Sequence, residues 1–132
     1  MADDGRHPYF DDRRAISWHT RLAGALDEAR RSGKRVFVLI GRPTCGGTRA
    51  LVEKTIWKDE IAEFVNARFV AVAVDAGAAD PDVSALIPAL PKSQPTPLCV
   101  YLTPDGRVLY STAGGRPAAV LLQDLVEATG RK

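Results

Sequence analysis

The sequence predicts an α/β domain in which a central mixed β-sheet is flanked by helices on both faces. Three observations carry that expectation. The runs Val36-Phe37-Val38-Leu39-Ile40 and Phe69-Val70-Ala71-Val72-Ala73-Val74 are continuously apolar and rich in β-branched residues, as strands covered on both faces are. A third run, Leu98 to Thr103, meets a Pro104-Asp105-Gly106 turn and an alternating segment, Arg107 to Thr112, the pattern of an antiparallel hairpin. Between these runs, apolar residues recur at helical spacing. A chain of 132 residues is the size of one domain and can bury a core without disulfides or a structural metal. We divide it into an N-terminal extension, 1–17, and a domain, 18–132.

In order along the chain, Trp18, Leu22, Ala25, Leu26 and Ala29 space out as one face of a helix, and Ser32-Gly33 supplies its stop. The first strand run follows and is closed by Gly41 and Pro43. Gly46 to Lys54 reads helical, Thr55-Ile56-Trp57 breaks the pattern, and a second segment starts at Asp59 with Ile61, Phe64 and Val65 as its apolar face. After the second strand run, Asp80-Pro81-Asp82 has the form of a helix start, with proline at the first helical position and Val83, Leu86 and Ile87 apolar. Pro91, Pro95 and Pro97 crowd the connection into the hairpin. Gly114-Gly115-Arg116-Pro117 then leads to a last helix, Ala118 to Ala128, with Val120, Leu121, Leu125 and Val126 facing inward.

Composition excludes several classes of function. A net charge of +2, with basic residues spread along the chain, provides no nucleic-acid footprint. No stretch approaches the ~20 consecutive apolar residues of a membrane helix. The start, Met1-Ala2-Asp3-Asp4-Gly5-Arg6-His7, is polar with no signal-peptide core behind it, so the chain as written reads as cytoplasmic, or as exported if a leader has been removed. Two cysteines, Cys45 and Cys99, make no disulfide framework, and a four-ligand zinc site would lack ligands. Neither a metal nor a cofactor is expected. Trp18 and Trp57 read as packing residues, and Arg13-Arg14 and Arg30-Arg31 as solvated.

The chemistry concentrates at Arg42-Pro43-Thr44-Cys45-Gly46-Gly47-Thr48, between a buried strand and a helix. A thiol at a helix start meets unpaired backbone N–H groups and the positive end of the dipole, so its thiolate is favoured. Thr48 occupies the place where a Cys-x-x-Cys motif carries its second thiol. A hydroxyl cannot resolve a mixed disulfide, but it can donate a hydrogen bond to sulfur. Cys99 is expected to be a buried, inert core cysteine.

A strand that delivers a cysteine to a helix start, followed by a proline just before a strand-turn-strand hairpin, resembles the thioredoxin superfamily. The similarity is closest to a subgroup with Gly33-Lys34 before the first strand, Cys45, the segment Thr55-Ile56-Trp57-Lys58-Asp59-Glu60-Ile61, a strand ending in Asp75, and Pro97-Leu98-Cys99-Val100-Tyr101-Leu102-Thr103-Pro104-Asp105-Gly106. It covers roughly residues 18 to 128. The resemblance implies a thioredoxin fold, with Cys45 matching the nucleophilic cysteine and Pro97 the cis-proline that faces it. Thr96 would offer backbone to an extended substrate, and Thr44, Gly46 and Gly47 would line the same groove. Two positions depart from the pattern. Thr48 replaces the resolving cysteine, and Leu39 stands where many thioredoxins bury an acid. The losses agree: without a second thiol to deprotonate, a buried acid would only be desolvated.

The expected function is monothiol exchange through Cys45 with protein or small-molecule thiols and disulfides, glutathione among them, an external thiol releasing the mixed disulfide. An alternative from another class is a non-catalytic module whose groove around Cys45 and Pro97 holds a protein partner. A third is glutathione-linked iron–sulfur binding, since Cys45-Gly46-Gly47-Thr48-Arg49 is similar to the monothiol glutaredoxin signature; against it, the upstream basic residue such proteins place by glutathione has no clear match here, Arg42 being the nearest candidate. The sequence leaves the oligomeric state open.

Overall fold

The computed structural model describes residues 7–77, 80–90 and 96–131, so Met1 to Arg6, Pro91, Pro95 and Lys132 lie outside the described residues. Among these, strands β1 (Trp18–His19), β2 (Arg35–Gly41), β3 (Phe69–Asp75), β4 (Leu98–Leu102) and β5 (Val108–Ala113) form one sheet in the order β1-β3-β2-β4-β5. The helices are α1 (Leu22–Ser32), α2 (Gly46–Ala50), α3 (Asp59–Arg68), α4 (Pro81–Ser84) and α5 (Ala118–Gly130). β2 and β3 run parallel from Arg35 opposite Phe69 to Gly41 opposite Asp75, while β4 is antiparallel to both β2 and β5. The sheet is therefore mixed, and its parallel centre ends at the same edge as Gly41 and Asp75.

Alternation along each strand divides the core in two. Val36, Val38 and Ile40 of β2, with Val70, Val72 and Val74 of β3, face Leu22, Ala25 and Ala29 of α1. Their neighbours Phe37, Leu39, Phe69, Ala71 and Ala73 face Ile61 and Val65 of α3 and Leu121 and Leu125 of α5. Both faces of the central strands are thus apolar, and each large side chain removed from water there contributes roughly 1.5–3 kcal/mol. Gly33 ends α1 at φ 76°, its N–H donating to the Ala29 carbonyl at 2.8 Å. Asp80 caps α4 by accepting from the Asp82 N–H at 3.0 Å, and its other oxygen accepts from the Leu22 N–H at 2.9 Å, tying α4 to the start of α1.

Three sequence expectations are corrected. Trp18 belongs to no helix: it sits in the two-residue strand β1 opposite Ala71, and its indole N–H donates to the buried Asp12 carboxylate at 2.8 Å. Its spacing to Leu22 imitates a helical repeat, but parallel pairing with β3 takes precedence. Val126 is exposed, and Asp124 and Ala128 take the inward positions of α5 with Leu121 and Leu125. Cys99 is buried, as expected of a core cysteine, among Phe37, Leu39 and Leu121 on the α3/α5 side. Arg13 is exposed but not simply solvated, its guanidinium lying 3.9 Å above the Trp57 ring.

The helix that begins after Cys45 continues through one π-helical turn, Leu51–Thr55, before the chain breaks at Ile56-Trp57. That wider turn places Leu51, Val52 and Ile56 in the core. Upstream, residues 7–17 lie against the sheet: Ile16 is in the core, Phe10 packs beside it, and the Tyr9 hydroxyl donates to the Val74 carbonyl at 3.3 Å.

Candidate thiol site

β2 stops at Gly41, and the next four residues turn the chain so that Cys45 becomes the cap residue of α2. The Cys45 N–H donates to the Arg42 carbonyl at 3.1 Å, and the Cys45 carbonyl accepts the Arg49 N–H at 3.0 Å as the first bond of the helix. Cys45 itself has extended backbone, φ −88° and ψ 118°, so its side chain leaves the helix end rather than packing along it. The sulfur is part-exposed.

Opposite stands the Thr96–Pro97 segment, whose peptide bond is cis. The Thr96 hydroxyl donates to Cys45 Sγ at 3.1 Å, and the Cys45 thiol lies 3.6 Å from the Thr96 carbonyl oxygen, its acceptor when protonated. Gly47 fills the gap between the loops. A Cβ there would stand 3.3 Å from Pro97 Cδ, 3.6 Å from the Thr96 oxygen and 3.7 Å from the sulfur, so a side chain would crowd the groove. The Gly114 N–H donates to the Pro97 carbonyl at 2.9 Å, and Gly114 adopts φ 83°, a conformation that glycine reaches without strain. This 113–117 loop is anchored in turn by Arg116, whose guanidinium grips the buried Asp124 carboxylate through two bonds of 2.8 and 2.9 Å.

Thr48 is fully buried beneath the sulfur. Its hydroxyl oxygen accepts the Arg42 N–H at 3.4 Å. The consequence is electrostatic. The Cys45 pKa is lowered from 9.0 to about 7, first by the Thr48 hydroxyl, then by the Thr96 hydroxyl, with the Thr48 and Gly47 backbone N–H groups adding and slight burial opposing. Two hydroxyls and two amides thus face the developing thiolate, the arrangement that stabilises anionic sulfur. Cys99 behaves oppositely: complete burial pushes its thiol up to about 12, so it stays protonated and unreactive at neutral pH.

Of the residues singled out from the sequence, Cys45, Thr48, Gly47, Thr96 and Pro97 come together. Thr44 and Gly46 sit exposed at the rim, and nothing lies within 4 Å of where a Gly46 Cβ would be. Leu39 is wholly buried in the apolar core below. Three contributions escaped the sequence reading. The Thr96 side chain, and not only its backbone, bonds the sulfur. Gly41 has no room for a side chain, since a Cβ would meet Thr48 Cγ2 at 2.3 Å. Tyr9 arrives from 36 positions upstream of Cys45, with its hydroxyl oxygen 3.0 Å from that same point. No local motif marks any of the three.

Comparison with known proteins agrees with this geometry. The rat (Rattus norvegicus) protein named spermatogenesis-associated protein 20 is 29% identical over 94 residues, 68% of this chain, while the chain spans 12% of that protein's length. A disulphide isomerase structure from Xylella fastidiosa Temecula1 superposes with a TM-score of 0.68 at 22% identity, covering 82% of this chain and 88% of the other. A Thermus thermophilus thioredoxin superposes at 0.70, again with 22% identity, covering 84% and 85%. These likenesses show the thioredoxin fold. The model of the family Thioredox_DsbH, described as a protein of unknown function, DUF255, matches residues 6–121. The fold, the strand-to-helix cysteine and this match over most of the chain together show that the protein belongs to the Thioredox_DsbH family of thioredoxin-like proteins.

Proposed function

We propose that the protein carries out thiol–disulfide exchange with a single thiol. The observation that supports this reading best is the Cys45 sulfur, part-exposed, flanked by the Thr48 and Thr96 hydroxyls and lowered to about 7. At neutral pH about half of it is thiolate. The thiolate attacks one sulfur of a disulfide, a bond forms from Sγ to that sulfur, and the other sulfur departs as a thiolate with the electron pair. Thr48 has no sulfur with which to displace the adduct, so an external thiol such as glutathione attacks the mixed disulfide and returns Cys45 as thiolate. In the first step Cys45 is oxidised as the departing sulfur is reduced, and in the second the external thiol is oxidised into a disulfide with the substrate sulfur as Cys45 is reduced again, so sulfur supplies every electron.

Substrates are protein or small-molecule disulfides that reach the groove beside Pro97, where the backbone of Gly47 and Thr96 borders the sulfur. Thr44 and Gly46 form the outer rim of that groove. Among the described residues, no helix is long and apolar enough to cross a membrane.

The test is to incubate the reduced protein with oxidised glutathione and follow its mass. The expected product carries one glutathione on Cys45, is released by excess reduced glutathione, and is absent in Cys45→Ser. A wild-type protein that forms no adduct while its fold is intact would overturn the proposal and favour a non-catalytic protein-binding groove.

A further inference from the structure

Thr48 acts on the sulfur only if its hydroxyl is held toward Cys45, and the residue on its far side is Tyr9. The point where a Cβ of Gly41 would stand lies 2.9 Å from Thr48 Oγ1, 2.3 Å from Thr48 Cγ2 and 3.0 Å from Tyr9 Oη, so threonine and tyrosine both crowd the bare backbone of Gly41. Three anchors fix the phenol. Its hydroxyl donates to the Val74 carbonyl at 3.3 Å. The His7 Nδ1 accepts the Tyr9 and Phe10 N–H groups at 3.4 and 3.2 Å. The His7 ring stands edge-on to Tyr9 at 4.7 Å and to Trp18 at 5.3 Å, wedging the turn against the core.

We propose that Tyr9 is a positioning residue for the Cys45 thiol: it closes the rear of Thr48 across Gly41 and holds that threonine in the rotamer whose hydroxyl meets the sulfur. Because Thr48 is branched at Cβ, its χ1 has few wells, and a neighbour that blocks one of them selects the rest. The ionisable groups facing the phenol are Asp75, at the end of β3, and Cys45 itself; with burial they push the Tyr9 hydroxyl up to about 12, so it remains a neutral donor throughout the range in which Cys45 ionises. Sequence distance hides this role, because residues 7–17 reach the site only by folding over the ends of β2 and β3.

The inference rests on the thiol chemistry proposed above, and its test separates the two. The rate of Cys45 alkylation by iodoacetamide is measured against pH in full-length wild type, Tyr9→Phe, Tyr9→Ala, Thr48→Val and the Tyr9→Ala/Thr48→Val double variant. Tyr9→Ala is expected to raise the midpoint by about one pKa unit and Tyr9→Phe, which keeps the ring but loses the Val74 anchor, by a smaller amount of about 0.3 unit. In the Thr48→Val background, Tyr9→Ala should add nothing, because the group through which it acts is gone. An unchanged midpoint in both single tyrosine variants, or an equal rise with and without Thr48, overturns the proposal. If Tyr9→Ala fails to fold, Tyr9→Phe and its Thr48→Val double decide alone. A wild type that titrates near 7 but forms no glutathione adduct would remove the exchange reading and leave Tyr9 in place, whereas adduct formation with an unmoved Tyr9 series would do the reverse.

Discussion

Thr48→Val removes the largest single influence on the Cys45 sulfur while keeping the side chain's volume and branching. The native thiol is lowered by two pKa units, from 9.0 to about 7, and four hydrogen bonds share that shift with the Thr48 hydroxyl first. Deleting the first of four unequal contributors should return about one unit, to a midpoint of about 8. At pH 7 the thiolate fraction then falls from about one half to about one tenth, and alkylation slows about fivefold, while the plateau rate at high pH stays within about twofold because the thiolate itself is equally accessible. Linkage provides a second readout. A depressed native pKa means that ionised Cys45 stabilises the fold fully above 9, and that this contribution is lost as pH falls through 7. The reduced wild type should therefore gain stability between pH 7 and 9, and Thr48→Val should gain less. Since the Thr48 oxygen also accepts the Arg42 N–H, valine leaves that amide unpaired and costs about 1 kcal/mol of stability independent of pH. A midpoint that stays at 7 in Thr48→Val, with the fold intact, would refute the assignment of the shift to the hydroxyl.

Gly41→Ala drives a methyl into Thr48, whose Cγ2 stands 2.3 Å from its position, so a loss of about 1–3 kcal/mol is expected in urea melts, and an undiminished midpoint would contradict the packing. His7 is buried and lowered from 6.5 to about 4, so its neutral form supports the fold; that support is complete above 6.5 and is lost as pH falls through 4, and a His7→Gln variant should flatten the wild-type decline in stability over that window. Asp124→Ala strips the Arg116 guanidinium of its two bonds and frees the loop that bonds Pro97 through Gly114, which should cost about 3 kcal/mol in thermal or urea unfolding; wild-type stability in this variant would show that the pair is not a clamp. Cys99 should resist maleimide until the protein unfolds, whereas rapid labelling in native buffer would contradict its burial.

The fold could be read from the chain wherever one residue pattern had one physical solution. The runs at 36–40 and 69–74 are apolar at every position because both faces are covered, and Pro104-Asp105-Gly106 closes a hairpin because Gly106 reaches φ 92° freely. Cys45 was legible for the same reason: a strand, a tight turn and a helix leave a thiol little choice of place. Trp18 was misread because a two-residue strand is too short to show alternation, and its distance to Leu22 fits a helix equally well. Val126 was misread because Val120 to Val126 offers more apolar residues than one helical stripe can bury, and the buried Asp124 that displaces it is held by Arg116, a partner no periodicity announces. Tyr9, Gly41 and the Thr96 hydroxyl were beyond reach in another sense. Tyr9, Gly41 and Thr96 stand 32 to 87 positions apart in the sequence, and only the closed sheet gathers them around Thr48 and the Cys45 sulfur.

The central claim is that about half of Cys45 is thiolate at neutral pH because two threonine hydroxyls and the start of α2 surround it. Titrating the ultraviolet absorbance of the thiolate in the reduced full-length protein, with Cys45→Ser as the blank, measures this directly. A single transition centred near pH 7 is the result this account requires. A transition near 8.5 to 9, the range of an ordinary cysteine at about 8.5, would contradict it and remove the physical basis for exchange at this site.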